Sequence, residues 1–424
     1  MKHVRPLRRS FLFLQGPPGP FFWRLSRELE ARGCAVRRIN LNGGDRYDWP
    51  AGAVDYRGRL DAWPIFFDRF VREHDITDLV LYGDCRPMHL AAHRLAKLRG
   101  VAIHVFEEGY IRPDWMTLEP DGVNGHSTLV RDPAIIRERA RDLPPLPDLP
   151  TITASFGRRA RDSYWHYHRI VTGRIRFPFY RSHRKGIIIV EGLGWIRKFA
   201  LSRRRTAQAK ATLATLAKKP YFLFPLQLTG DYQIREHSPF GTMMTAADYV
   251  LDSFAHCAPA DAHLLVKEHP LDCGFHNWRA FIEKRARALG LEGRVHHLEG
   301  GDLGRLARDS KGMVCVNSTS GTLALSAGKP VIVLGDAIYD VPGITHQGHL
   351  DRFWDAPQAP DMGLYDAFRR VLHAHCLVRG GLASESATDT LVANSVERLL
   401  GGIPEQIARV GEHALFFHGV APRV

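Results

Sequence analysis

Leu265-Val266-Lys267-Glu268-His269-Pro270 and, about fifty residues later, Asn317-Ser318-Thr319-Ser320-Gly321-Thr322 decide how this chain is read. Each polar cluster follows a short apolar run (263–266 and 313–316) that reads as a buried strand, and each leads into a helical pattern. Both clusters are therefore expected at the carboxyl ends of parallel strands, the edge at which open α/β sheets bind ligands. A cationic imidazole beside a lysine, with a hydroxyl-rich turn that opens a helix, makes a receptacle for an anion, most simply a phosphate. The candidate nucleotide and phosphate ligands are Lys267, His269, Pro270, Asn317, Ser318, Thr319, Ser320 and Gly321. Triphosphate hydrolysis is not implied, because Gly16-Pro17-Pro18-Gly19-Pro20 lacks the Gly-Lys-Ser/Thr that completes a P-loop.

Outward from these clusters the pattern is strand then helix, repeated. Strands are expected at 11–15, 34–41, 78–82 and 101–107, with helices at 21–32, 63–74 and 88–98. A Pro-rich stretch at 143–150 interrupts the pattern, and further strands are expected at 221–224, 263–266, 294–298, 313–316 and 331–334. The fold class is therefore α/β, with two Rossmann-like domains facing across a cleft, the arrangement called GT-B. The expected domains are 1–150, N-terminal and acceptor-binding; 151–215, a basic, aromatic-rich connector; and 216–385, C-terminal and nucleotide-binding. A tail over 386–424 is expected to pack back on the N-terminal domain.

The 424 residues are 45% hydrophobic and 10% aromatic, enough for full cores, with no apolar run long enough for a transmembrane helix. The basic N-terminus leads into Gly and Pro rather than a cleavage site, which reads against a signal peptide. Six scattered cysteines without a CxxC suit buried thiols in a reducing compartment. His89 and His93 have i,i+4 spacing but no third ligand, so they read as a helix-surface pair and no metal site is expected.

A net charge of +13 calls for an acidic partner. Much of the charge lies in 158–205, where arginines including Arg174, Arg176, Arg181 and Arg184, with Lys185, alternate with Tyr, Trp and Phe. That mixture suits a membrane interface, where rings lie at headgroup level and guanidinium groups meet lipid phosphates. Single-stranded nucleic acid and a solvated basic face are the alternatives. No recognisable nucleic-acid module accompanies the charge, and no nucleic-acid partner is expected.

Phe106-Glu107-Glu108-Gly109-Tyr110 ends an apolar strand with two acids. Successive side chains point to opposite faces, so only one carboxylate aims directly into the cleft. A carboxyl beside a partly desolvated pocket suits general acid or base work, although acids also end many ordinary strands. Asp231 is expected in the loop after the first C-terminal strand, at the cleft edge or in a plain turn.

Together with Phe13-Leu14-Gln15-Gly16-Pro17, Asn40-Leu41-Asn42-Gly43-Gly44-Asp45, Tyr82-Gly83-Asp84, Ile111-Arg112-Pro113 and Leu334-Gly335-Asp336, these motifs closely resemble the capsular polysaccharide biosynthesis and export proteins of Gram-negative bacteria. The resemblance runs from about residue 11 to 354 and is nearest to a short, single-module member that starts the lipid terminus of the capsule. It implies a β-Kdo transferase, where Kdo is 3-deoxy-D-manno-oct-2-ulosonic acid, using CMP-β-Kdo and a phosphatidylglycerol-type lipid. The protein would then be cytoplasmic, peripheral on the inner face of the inner membrane, and would work beside other capsule assembly and export proteins.

By the same resemblance His269 contacts the CMP phosphate and assists its departure, and Ser318 to Ser320 hold that phosphate. Glu107 or Glu108 acts as acid/base, as in bacterial sialyltransferases. A β-linked donor giving a β-linked product means retention; double displacement then needs a carboxylate nucleophile, for which Asp231 is the candidate, while a front-face route needs none. Lys267 would neutralise charge, Glu299 would meet the ribose, and Arg86 or Arg112 would clamp the Kdo carboxylate or serve structural ion pairs. Gly16, Asn42, Asp45, Asp84 and Gln227 would shape the sugar and acceptor side. No cofactor or metal is expected, since a single phosphate leaves. A different CMP-sugar transferase and a non-catalytic basic assembly protein are the alternatives.

Overall fold

The structure, a computed structural model, describes residues 8–111, 114–182, 194, 198, 201–217, 219–228, 234–235, 237–272 and 276–401. The chain divides into two compact units: one of 1–129, 143–183 and 371–415, the other of 130–142, 184–370 and 416–424.

In the first unit, nearly continuous apolar runs give β1 (Ser10–Phe13) and β4 (Asp78–Tyr82), while β2 (Ala35–Asn40) and β5 (Ala102–Glu108) mix apolar with charged residues, and β3 (Val54–Asp55) has two residues. Strands covered on both faces need no polar alternation. The observed order β3-β2-β1-β4-β5, all parallel, is the Rossmann half that was expected. Two antiparallel strands extend it, β6 (Trp115–Pro120) on β5 and β12 (Leu377–Arg379) on β6. The sequence reading had neither. β12 is only three residues long, and β6 buries Thr117 and Glu119 among its apolar residues, which hides its pattern.

Alternate residues of β1 serve opposite layers. Phe11 and Phe13 pack with Phe21, Phe22, Leu25 and Leu29 of α1 (Phe21–Ala31) and with Leu391, Val392 and Val396 of the helix Glu385–Gly401. Leu12 and Leu14 pack with Trp63, Phe67 and Phe70 of α3 (Trp63–Glu73) and Ala92 and Ala96 of α4 (Pro87–Leu98). Between them α2 (Gly43–Asp48) follows β2. After α5 (Pro133–Ala140), which belongs to the second unit, α6 (Phe156–Thr172) returns to α2 of the first. Gly43 and Gly44 permit that approach: a Cβ on Gly43 would stand 2.1 Å from the Arg169 carbonyl oxygen, and one on Gly44 2.7 Å from the His166 ring.

The second unit holds a fully parallel five-stranded sheet of β7 (Tyr221–Pro225), β8 (His263–Lys267), β9 (Val295–Leu298), β10 (Gly312–Cys315) and β11 (Val331–Val333), in the order β11-β10-β7-β8-β9. Its core joins Phe222, Phe224, Leu264, Val266, Val314 and Ile332 to the helices Met243–Cys257 and Trp278–Ala288 and to Phe353 and Trp354. Both units are thus Rossmann-like, the α/β class read from the sequence.

Candidate active site

Each sheet has one place where successive connections leave in opposite directions, between β1 and β4 in the first and between β7 and β10 in the second. Loops at the carboxyl ends of the strands flanking such a point form a natural ligand crevice. The motif residues fall at these two places or one strand beyond them, and Glu299, after β9, lies two strands from the second.

In the first unit, Gly16 follows β1 and is buried against Phe22, where a Cβ would come within 2.7 Å of the ring. Arg86 follows β4 and donates from Nη1 to the Gln15 carbonyl at 3.3 Å, with its guanidinium 5.6 Å from the Tyr82 ring centre. That fixes the loop after β1 to the loop after β4 across the switch. Asp84, expected on the sugar side, is buried and accepts from the Val123 amide at 3.3 Å while pairing with His126 at 3.0 Å. Burial alone would raise its carboxyl, but the His126 hydrogen bond holds it below the usual range. Asn42 caps α2, accepting from the Asp45 amide at 2.9 Å, and Asp45 accepts from the Leu41 amide at 3.0 Å beside Arg38 at 3.5 Å. Both side chains are buried and shape the loop from beneath.

The acidic pair ends β5, and its two carboxylates diverge as a strand requires. Glu107 lies against the β4–α4 turn, its Oε2 3.3 Å from the place a Cβ of Gly83 would occupy, and its Oε1 accepts the Glu108 amide at 3.0 Å. Glu108 takes the other face, accepting from the Tyr82 hydroxyl at 3.2 Å and from Arg159 Nη2 at 2.5 Å. Both acids are half-buried. Burial, then the Glu108 and Glu107 charges, push Tyr82 well above its ordinary value, so it stays a proton donor to Glu108. Gly109 is demanded by the chain's return: a Cβ there would stand 2.0 Å from the Trp115 carbonyl oxygen. Tyr110 then anchors the segment, donating to Glu119 at 2.6 Å.

In the second unit, Gln227 after β7 donates to Asn317 Oδ1 after β10 at 2.9 Å, and the Asn317 amide returns to Gln227 Oε1 at 3.3 Å. This pair closes the second switch. Ser318 and Ser320 share a 2.7 Å hydroxyl contact and, with Thr319, remain half-buried. Gly321 lies under the Tyr339 hydroxyl, 2.4 Å from where a Cβ would be. After β8, His269 Nδ1 accepts the Leu271 amide at 3.1 Å, and in this tautomer Nε2 is the ring nitrogen that donates. Lys267 is buried, its ammonium 3.4 Å from the Glu268 carbonyl, and burial lowers its pKa. A second lysine braces the loop: Lys198 donates to the Pro270 and Asp272 carbonyls at 2.6 and 2.7 Å.

Glu299, beyond β9, pairs with Arg205 at 2.8 Å and approaches Arg279 at 4.0 Å. With Glu268 and His297, which pair at 3.2 Å, it forms a group close enough to ligate a cation. The guanidinium groups already supply that positive charge, so the set reads as an ion-pair network, of which Glu268, Glu299, Arg205 and Arg279 line a small recess with Asn277. His89 and His93 direct ring nitrogens to the Gly83 and Asp121 carbonyls respectively.

Arg112, Asp231, Arg184 and Lys185 lie outside the described residues. Arg159, Tyr82, Lys198 and Arg205 were not singled out from sequence. Two of these arginines sat in the basic run, where nothing distinguishes a solvated guanidinium from one that reaches an acid fifty or ninety residues away.

The family model for capsule polysaccharide biosynthesis proteins matches residues 77–382. The chain is 35% identical over 373 residues to the capsule polysaccharide export protein KpsS of Escherichia coli, covering 86% of this chain and 94% of that one. It is 36% identical over 381 residues to the capsule polysaccharide modification protein LipB of Neisseria meningitidis, covering 85% and 88%. Among solved structures it is similar to Thermosulfurimonas dismutans KpsC, beta Kdo 2,7 transferase, at 14% identity and a TM-score of 0.45, covering 93% and 99%. On the extent of these sequence matches, the chain belongs to the capsule polysaccharide biosynthesis family.

Proposed function

We propose that the protein is a glycosyltransferase, specifically a retaining β-Kdo transferase that moves Kdo from CMP-β-Kdo to a phosphatidylglycerol-type lipid and so starts the capsule's poly-Kdo linker. The observation that carries this reading is the chemistry at the strand ends: a half-buried acid pair after β5 in one unit, and a hydroxyl cluster with a donor imidazole after β10 and β8 in the other. His269 donates from Nε2 to the departing CMP phosphate oxygen as the sugar–oxygen bond breaks, while Ser318 to Ser320 hold the phosphate and Glu299 meets the ribose. Glu108 or Glu107 takes the acceptor hydroxyl proton as the new bond forms. In the double-displacement route Asp231 carries the sugar between the two steps. The reaction needs no metal, and the protein works at the inner-membrane surface with other capsule assembly proteins.

The test is purified protein with CMP-Kdo generated in place and a short-chain phosphatidylglycerol, read by mass spectrometry for a lipid one Kdo heavier. His269→Ala and Glu108→Gln should fold normally and transfer roughly a hundredfold slower, the scale of losing leaving-group stabilisation or proton transfer. Near-normal turnover in both would remove these roles. Transfer from CMP-sialic acid in preference to CMP-Kdo would leave the reaction class and replace the donor.

A further inference from the structure

The outer face of α6 and the turn that follows it have no role in the chemistry above. Tyr164, His168, Val171 and Ile175 recur at helical spacing along one exposed seam, with Tyr164 62%, Val171 51% and Ile175 96% accessible. Ile175 ends a 3-10 turn, Gly173–Ile175, and Phe179 is also exposed a few residues on. Trp165 flanks the seam, its ring 5.4 Å from Tyr164 and 5.5 Å from His168. Arg169, Arg174 and Arg181 are exposed along the same stretch, and from Ser163 to Ser182 there is no Asp or Glu. Arg176 is different, because Asp55 holds it at 2.6 Å.

The inner face of the same helix is fixed. Arg159 holds Glu108, His166 pairs with Asp48 at 2.6 Å, and the Gly43-Gly44 backbone lies directly beneath. The apolar seam is therefore presented rigidly, on a helix that also touches the acidic pair.

We propose that this face is a docking surface for an anionic phospholipid bilayer, in which Ile175, Phe179, Val171 and the Tyr164–Trp165 pair enter the headgroup–acyl boundary while Arg169, Arg174 and Arg181 meet lipid phosphates. Charge complementarity selects this occupant: exposed apolar tips beside arginines, on a segment that carries no acid of its own, match an anionic interface. Its purpose rests on the lipid-acceptor reading, because docking brings α6, and with it Glu108, to the headgroups.

The test uses the full-length protein with vesicles of phosphatidylglycerol and phosphatidylcholine, or of phosphatidylcholine alone. Sedimentation measures partitioning, and quenching by brominated acyl chains, compared with Trp165→Phe, reports insertion at Trp165. The wild type should bind the anionic vesicles, retain part of that binding in high salt, and show quenching that Trp165→Phe lacks. Arg174→Gln with Arg181→Gln should lower partitioning roughly thirtyfold at low salt. Ile175→Ser, at a site too exposed to disturb folding, should remove the salt-resistant part. Equal binding to both vesicle types, absence of quenching, or variants that partition like the wild type would overturn the proposal. So would self-association that Ile175→Ser abolishes, which would assign the face to a second copy of the chain. Vesicle binding without sugar transfer would keep this surface and remove the acceptor reading.

Discussion

Replacing Glu119 by glutamine should change how the stability of the first unit responds to pH. Glu119 lies on β6, fully buried, where Tyr110 donates to it at 2.6 Å and the Ser127 hydroxyl and Cys376 thiol complete its surroundings. Burial pushes its carboxyl from the ordinary 4.5 up to about 7, with the Asp84 charge adding to the rise and the hydrogen bonds from Ser127, Tyr110 and Cys376 opposing it. The folded state therefore holds this proton more tightly than the unfolded chain. The associated stability is fully present below about pH 4.5 and is lost as pH rises through about 7. At about 1.4 kcal/mol per pH unit, that interval corresponds to a loss of roughly 3 kcal/mol. Glutamine has the same shape and no proton to lose, so the variant should gain on the wild type by about that amount between pH 4.5 and 8. Hydrogen exchange of the β6 and β12 amides, around the Thr117–Leu377 pair, reports the local opening free energy in both proteins once corrected for intrinsic rates. Parallel pH profiles would refute the reasoning, since they would mean that Glu119 is already ionised or never titrates in the folded protein.

Two further predictions concern the acid chemistry. Arg159→Gln should slow transfer roughly tenfold, and added to Glu108→Gln it should cost almost nothing more, because the arginine acts through that carboxylate; additive losses in the double-mutant cycle would separate them. With Asp231 as nucleophile, an acceptor-starved enzyme should accumulate an adduct one Kdo heavier that maps to this residue, and Asp231→Asn should lose both adduct and turnover; a fully active Asp231→Asn protein would leave the front-face route.

Much of the frame is visible in the residues themselves. The strand at 78–82 has the expected bounds, and the apolar runs that became β7, β8 and β10 are shifted by a residue or less at each end, because doubly covered parallel strands declare themselves without alternation. The placement of the motifs at carboxyl strand ends followed from the same runs. Local pattern does not carry long-range pairing. Glu119 is an acid in a short buried strand whose partners, Tyr110 and Cys376, come from a bend and a distant helix end. Arg159 and Arg205 look like their neighbours in a basic run, yet one completes Glu108 and the other neutralises Glu299. Asn42 and Asp45 cap and brace α2, a role that composition alone does not separate from that of a binding loop.

The central claim is that Kdo moves from CMP-β-Kdo to a phosphatidylglycerol-type lipid with retention, and the anomeric configuration of the isolated product tests it most directly. Lipid from the wild-type reaction, purified and examined by NMR through the C3 protons of the sugar, should carry a single β-linked Kdo. An α-linked product would contradict retention, and an unchanged lipid after the donor has been consumed by hydrolysis would contradict the transfer itself.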